Sequence, residues 1–259
     1  MLCFEQPCAN LSIMTEKTNP LIDKLFSVGA HYGYAKSRRH PSVRRFIFGS
    51  KGNVEIFDLE QTSAMMEKAL AFLTTAAAKR ETVLFVGSKP EARGALERVA
   101  RRLNQPFVIG RWIGGSLTNW SEIKKRLARL QELTDMREKG EGAKFTKLER
   151  LLLEREEKEL DAMFGGLRGL EKTPSAMVVV DSRKEATAIA EAAKLGIPVV
   201  ALINSDCDAS VVNYAIPAND SSRHTIELVL GEIAQAMERG AAMPAPTPAS
   251  VTSAPVSAQ

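Results

Sequence analysis

Apolar residues recur along this chain in two rhythms, and the places where one gives way to the other divide it. From Pro20 the spacing is helical: Leu21, Ile22, Leu25, Phe26 and Val28 share a face before Gly29 and Gly33 break it. Phe46-Ile47-Phe48 and Val54-Glu55-Ile56-Phe57 predict two short strands joined by a Gly-rich turn over 49–53. A helix starting at Asp58 or Thr62 carries Met65, Met66, Ala69, Leu70 and Leu73 to Arg80. Thr82 to Gly87 is continuously apolar, the pattern of a strand buried on both faces. Ser88-Lys89-Pro90-Glu91 opens the next helix, with Pro90 suited to its first turn and Leu96, Val99 and Leu103 along it. Phe107 to Gly110 predicts another short strand. Past a charged interval the alternation resumes. Ala176 to Asp181 reads as a buried strand, Lys184 to Lys194 as an Ala-rich helix stopped by Gly196, and Ile197 to Ile203 as a strand. Tyr214 to Pro217 is short and extended, and an amphipathic helix runs from about Ser221 to Met237.

Residues 121–163 differ in kind. Ile123, Leu127, Leu130 and Leu133 hold a helical spacing, Gly140-Glu141-Gly142 breaks it, and Leu148, Leu151, Leu152, Leu160 and Met163 take it up again among Glu, Lys and Arg. A narrow apolar seam flanked by mixed charge predicts an antiparallel coiled-coil helical hairpin, too polar to enter the main core. The alternation on either side of it predicts an α/β fold: a parallel sheet with helices on both faces, Rossmann- or flavodoxin-like, built from 20–120 and 164–239, with 121–163 inserted. Residues 1–19 and the uncharged Ala/Pro/Ser/Thr-rich 240–259 are expected to be disordered extensions.

Where the first half meets the hairpin stands Arg111-Trp112-Ile113-Gly114-Gly115-Ser116-Leu117-Thr118-Asn119-Trp120. The Gly pair permits a backbone with φ > 0, and Thr118, Asn119 or Ser121 can cap the helix that follows. The string serves either as a rigid corner anchored by two Trp or as a surface that meets a partner.

Composition adds little until charge is located. Hydrophobic content of 44% and charged content of 25% are ordinary for a folded chain, and a net charge of +4 with pI near 9.0 is mildly basic, permissive of anionic partners without demanding them. Positive charge crowds residues 36–45 and 93–111. No apolar run is long enough to cross a bilayer, and no basic segment precedes an apolar core at the N-terminus. Cys3, Cys8 and Cys207 lack the partners of a zinc site and are expected to be free thiols in a reducing compartment.

Candidate chemistry is correspondingly thin. Gly87-Ser88-Lys89 follows a strand and opens a helix, but the phosphate-loop and dinucleotide glycine patterns are both missing. Asp181, Asp206, Asp208 and Asp220 lie near strand ends, where they serve caps and turns or, as the alternative, a Mg²⁺ or phospho-acceptor site. His31, His40 and His224 stand in loops or at a helix start, with no local triad pattern. The stronger feature is a basic loop: Lys36, Arg38, Arg39, Arg44 and Arg45 within ten positions, beside Tyr32, Tyr34 and His40. Such Lys/Arg sets contact phosphate backbone, and Tyr and His rings stack on unpaired bases.

Several of these strings together resemble the bacterial small-subunit ribosomal protein S-two family. They are Leu25-Phe26-Ser27-Val28-Gly29-Ala30-His31-Tyr32-Gly33, Arg39-His40-Pro41, Phe46-Ile47-Phe48-Gly49, Val83-Leu84-Phe85-Val86-Gly87-Ser88-Lys89 and the Arg111–Asn119 string. Pro174 to Asp181, Leu195-Gly196-Ile197-Pro198-Val199 and Ile216-Pro217-Ala218-Asn219-Asp220 follow in the same order, so the resemblance spans about 20–238. Tyr34 stands where that family commonly has a second His, and Pro90-Glu91, Ala209 and Val211 also depart from its pattern. The resemblance implies a non-catalytic, cofactor-free constituent of the ribosome, in the cytoplasm or the equivalent organellar stroma or matrix. Its partners would be small-subunit ribosomal RNA between head and body, neighbouring small-subunit proteins and the large mRNA-binding protein S-one, with no DNA or membrane. Lys36, Arg38, Arg39, Arg44, Arg45 and Arg111 are the expected RNA contacts.

Overall fold

A computed structural model describes residues 19–140, 145–170 and 172–243. The expectations for 1–18 and 244–259, and for Cys3 and Cys8, lie outside the described residues. The chain runs α1 (Pro20–Ser27), β1 (Tyr32–Ala35), β2 (Ile47–Lys51), β3 (Val54–Phe57), α2 (Leu59–Ala78), β4 (Val83–Val86) and α3 (Pro90–Arg102). It continues through β5 (Phe107–Val108), α4 (Trp120–Glu138), α5 (Lys147–Phe164), β6 (Ala176–Val180), α6 (Ala186–Lys194), β7 (Val199–Ile203), β8 (Tyr214–Pro217) and α7 (Arg223–Ala242).

Five strands form a parallel sheet in the order β5-β4-β6-β7-β8, with Val83 opposite Ala176, Met177 opposite Val199 and Ala201 opposite Ala215. The runs are apolar throughout because each strand feeds two cores. Leu84, Val86, Met177, Val179 and Ala201 pack with α6, the 111–120 string and the foot of α4 and α5. Val83, Phe85, Val178, Val180 and Val200 pack with α1, α2, α3 and α7. The helix joining β4 to β5 and the helix joining β6 to β7 therefore lie on opposite faces. The chain leaves β4 one way and β6 the other, which makes the crevice between their carboxyl ends the switch point of the sheet.

Local signals explain the helix boundaries. Asp58 accepts from the Glu60 and Gln61 amides and starts α2. Thr146 and Glu149 form a reciprocal capping box at the start of α5. Gly240, in the last turn of α7, lies so close to α2 that a Cβ would collide with the Thr74 carbonyl and Ala77.

Two features differ from the sequence reading. Tyr32–Ala35, expected as loop, is a strand in a second, antiparallel sheet of order β1-β3-β2. Its alternation is hidden because Gly33 fills an inward position, where a Cβ would press on Ser205 Oγ, the Glu55 carbonyl and the Phe57 ring. Helices α4 and α5 do pack on each other, but through Leu130, Leu133 and partly buried Leu127 against Leu160 and partly buried Leu153. Leu148, Leu151, Leu152 and Met163 are exposed. Of the run Leu151-Leu152-Leu153 only Leu153 is in helical phase with Leu160 and Phe164. The seam is not walled off from the sheet either: Ile123, Leu130, Leu133, Leu160 and Phe164 belong to the apolar cluster that covers one sheet face.

Candidate nucleic-acid interface

The basic loop is built on two 3-10 turns, Lys36–Arg38 and Pro41–Phe46, with Val43 and Phe46 buried beneath. Pro41 fixes one backbone angle, and His40 Nδ1 accepts from the Ser42 amide to cap the second turn. The Tyr34 amide donates to Ser205 Oγ at 2.9 Å and the His40 amide to the Ser205 carbonyl at 2.8 Å, tying the loop to the end of β7. Lys36, Arg38, Arg44 and Arg45 are exposed on it. Arg38 lies 5.8 Å from the Tyr34 ring centre, and Arg45 lies 4.6 Å from that of Phe46.

Arg39 has a different environment. Its guanidinium donates to Glu55 Oε1 at 3.0 Å, and Glu55 is 1% exposed. The signal was in the sequence: Glu55 is in alternation with Phe57, which places it inward on β3. Lys36, Arg39 and Arg44 line one cleft with Glu55, so the structure brings three of the loop cations together. Arg111 lies elsewhere, exposed beside Ser88, Arg93 and Lys184.

The 111–120 string is held from the inside. Glu191, in the middle of α6, projects its carboxylate into the loop. There Oε1 accepts from Trp112 Nε1 at 3.1 Å and the Gly115 amide at 2.8 Å. Oε2 accepts from the Leu117 amide at 3.0 Å, the Thr118 amide at 3.2 Å and Thr118 Oγ1 at 3.3 Å. Gly115 adopts φ +90°, which turns these amides toward one point. Burial works to raise the Glu191 pKa, but the donors from Gly115, Leu117, Trp112 and Thr118 outweigh it and hold the group below its ordinary 4.5. The string is thus a rigid corner whose keystone is a carboxylate from another helix. Trp112 is an anchor in it, and Trp120 is partly buried against the same cluster. Glu191 shares its helix face with buried Ala188 and Ala192, and that acidic residue in an apolar stripe is the sequence sign of its role.

At the carboxyl edge of the sheet a second buried charge set closes on itself. Lys89 Nζ lies 3.0 Å from Asp181 Oδ2 and 2.6 Å from Asp220 Oδ2, and all three residues are buried. Burial works to lower the Lys89 pKa, but Asp220 and then Asp181 overcome it and hold the ammonium above its ordinary value. Cys207 donates to Asp181 Oδ1 at 3.5 Å, and burial, with Asp181 beside it, pushes the thiol up to about 12. Asp181, Cys207 and Asp220 bring ligand-type atoms within 4.8 Å of one another. The Lys89 ammonium already pairs with both carboxylates and occupies the space between them, so the set fits a divalent metal only if that side chain moves away. The turn reading holds for Asp181 and Asp208, which accept from the Arg183 and Ser210 amides. Asp206 pairs with Arg183 at 2.9 Å.

Gly87-Ser88-Lys89 is equally occupied: the Ser88 amide donates to Glu185 Oε1 at 2.9 Å, and Glu185 is 1% exposed. Among the histidines, His31 stacks on Phe26 at 4.8 Å and burial lowers its pKa, while His224 is exposed at the start of α7. His40 Nδ1 meets Ser42 Oγ at 2.7 Å and lies 3.7 Å from Asp208 Oδ1. Serine and aspartate on the same ring nitrogen cannot relay a proton through the imidazole, so this trio braces the loop and is no hydrolytic triad.

A family profile described as ribosomal protein S2 matches residues 25–240. The small ribosomal subunit protein uS2 of Micrococcus luteus is 42% identical over 218 residues, covering 84% of this chain and 76% of that protein. Its counterpart in Clavibacter michiganensis is 43% identical over 221 residues, 85% and 70% of the two chains. That of Chloroflexus aurantiacus is 39% identical over 219 residues, 85% and 92%.

Proposed function

The chain belongs to the ribosomal protein S2 family, a family of structural, non-enzymatic proteins, and from that premise we propose that it is a constituent of the small ribosomal subunit held on ribosomal RNA through its basic loop. The observation that carries this reading is the exposure of Lys36, Arg38, Arg44 and Arg45 on a loop braced by Pro41, His40 and Ser205. A braced set of cations loses little conformational entropy when it meets phosphates. Arg39 contributes by holding the loop to Glu55, and Arg111 contacts RNA from the adjoining edge of the sheet. The protein sits between head and body of the subunit and helps dock the large mRNA-binding protein S-one during initiation.

Changing Lys36, Arg38 and Arg44 together to Ala leaves the Arg39–Glu55 pair intact. It should reduce cosedimentation with small subunits in a sucrose gradient and lower the salt slope of RNA binding by roughly one unit per lost phosphate contact. Normal incorporation at low and high salt would place the RNA contact elsewhere. For S-one docking, subunits assembled without this chain should lose S-one in moderate salt and regain it when the chain is added back; retention of S-one without it refutes that part. A nucleotide enzyme is the weaker reading. The Ser88 amide that would face a phosphate is taken by Glu185, and the sheet edge beyond it is filled by Lys89, Asp181 and Asp220.

A further inference from the structure

We propose that the crevice between the carboxyl ends of β4 and β6 is a second RNA contact, a pocket in which Arg93, Arg111 and Lys184 hold one phosphate of the RNA backbone. This rests on the RNA-binding reading above and adds to it a separate site with its own residues. The crevice measures about 480 Å³ and is lined by Ser88, Arg93, Arg111, Trp112, Lys184 and Glu185, among others. It opens at the switch point of the sheet, where parallel α/β folds receive ligands.

Three observations give it an anion as occupant. Three cationic side chains face one carboxylate. Arg93 Nε donates only to the Ser88 carbonyl at 3.2 Å, and neither Arg111 nor Lys184 is paired with a carboxylate among the described residues. The other arginines of α3 are paired: Arg98 with Glu227, Arg101 with Glu97 and Arg102 with Glu238, each at 2.6 Å. Finally, α3 and α6 both begin at this crevice without a side-chain cap, so their positive ends add to the same field.

The floor decides which phosphate. Buried Glu185 accepts the Ser88 amide there, so a terminal phosphate seeking the backbone amides would meet a carboxylate. The cations are exposed at the rim, where a passing backbone phosphodiester can be held from the side while the rest of the polymer stays outside.

The experiment measures affinity of the full chain for protein-stripped small-subunit ribosomal RNA across a salt series. Four proteins are compared: wild type, Arg93→Ala/Lys184→Ala, Arg93→Lys/Lys184→Arg and the Lys36/Arg38/Arg44 triple Ala variant. Circular dichroism verifies folding of each. ADP and inorganic phosphate are titrated separately against Trp112 fluorescence in a Trp120→Phe background. The double Ala variant should bind RNA about tenfold more weakly near 0.1 M salt, with a slope smaller by about one. The charge-keeping variant should restore most of the affinity. If the loop variant weakens binding and the double Ala variant does not, the crevice proposal is overturned and the RNA reading survives. If neither weakens it, both fall. Trp112 quenching by ADP or phosphate, with RNA affinity unchanged in the double Ala variant, would make the crevice a mononucleotide site and overturn the proposal.

Discussion

Replacing Glu191 by Ala removes one carboxylate and strands several donors at once. The Trp112 indole N–H and the Leu117 amide are buried and have no other acceptor among the described residues, while the Gly115 and Thr118 groups lie nearer the surface and can turn to water. An orphaned buried donor costs about 1–3 kcal/mol, so the two buried ones alone predict a loss of roughly 2–6 kcal/mol. That is a large part of the stability of an ordinary domain, and for a chain of this size it corresponds to a fall in Tm of roughly 10 °C. Glu191→Gln keeps the shape but sets an amide NH₂ against some of the same donors, and should lose an intermediate amount. The Glu191 pKa is depressed in the folded state, so its contribution is fully present above the unfolded value near 4.5 and is lost as pH falls through the folded one. The gap between wild type and Glu191→Gln should therefore be constant above about pH 5.5 and close below it. Urea unfolding followed by far-UV circular dichroism and Trp fluorescence across pH gives both numbers. A loss under about 1 kcal/mol for Glu191→Ala, or a gap that widens in acid, would show that the 111–120 loop stands without its carboxylate.

Lys89→Met leaves Asp181 and Asp220 buried without their cation and should cost about 3–5 kcal/mol at neutral pH, shrinking in acid as the carboxyls protonate; urea titrations at two pH values check it. Gly240→Ala forces a methyl onto the Thr74 carbonyl and should lower stability by about 1–3 kcal/mol, read as a shift in Tm. Replacing 131–154 by a short Gly/Ser linker should preserve one cooperative transition in calorimetry. Replacing all of 121–163 also strips Ile123, Leu130 and Leu160 from the shared cluster and should cost roughly 5–9 kcal/mol more; equal Tm values for the two deletions would show that the helical pair is independent of the sheet.

The central strands were plain in the sequence because an apolar run such as Val83–Val86 or Met177–Val180 has few other homes in a chain of alternating elements. Asp58, Pro90 and Gly196 marked helix ends through chemistry that acts over three or four residues. What stayed hidden depends on partners distant in sequence. The place of Glu191 in an apolar stripe marks it as inward, but its partners appear only when Trp112 to Thr118 are folded around it. Arg39 reads as a free cation until β3 brings up Glu55. The seam of α5 could follow any of three consecutive leucines, and only the opposing face of α4 selects Leu153. The crevice at the switch point joins Arg93, Arg111 and Lys184 from three separate segments, and only sheet order makes them neighbours.

The insertion of a helical pair between β5 and β6 has a consequence for the order of folding events. Val83 must find Ala176 at the centre of the sheet, across a connection that contains α3, β5, α4 and α5. Closing a loop that long from an unstructured chain is entropically costly and slow. Helices α4 and α5 are neighbours in sequence and can pair within microseconds, which draws their two ends together before the sheet exists. The loop that β4 and β6 then have to close is shorter by the whole length of the pair. Refolding of the 131–154 deletion in stopped flow should accordingly proceed at nearly the wild-type rate, whereas substitutions that block pairing at Leu130 and Leu160 should slow it.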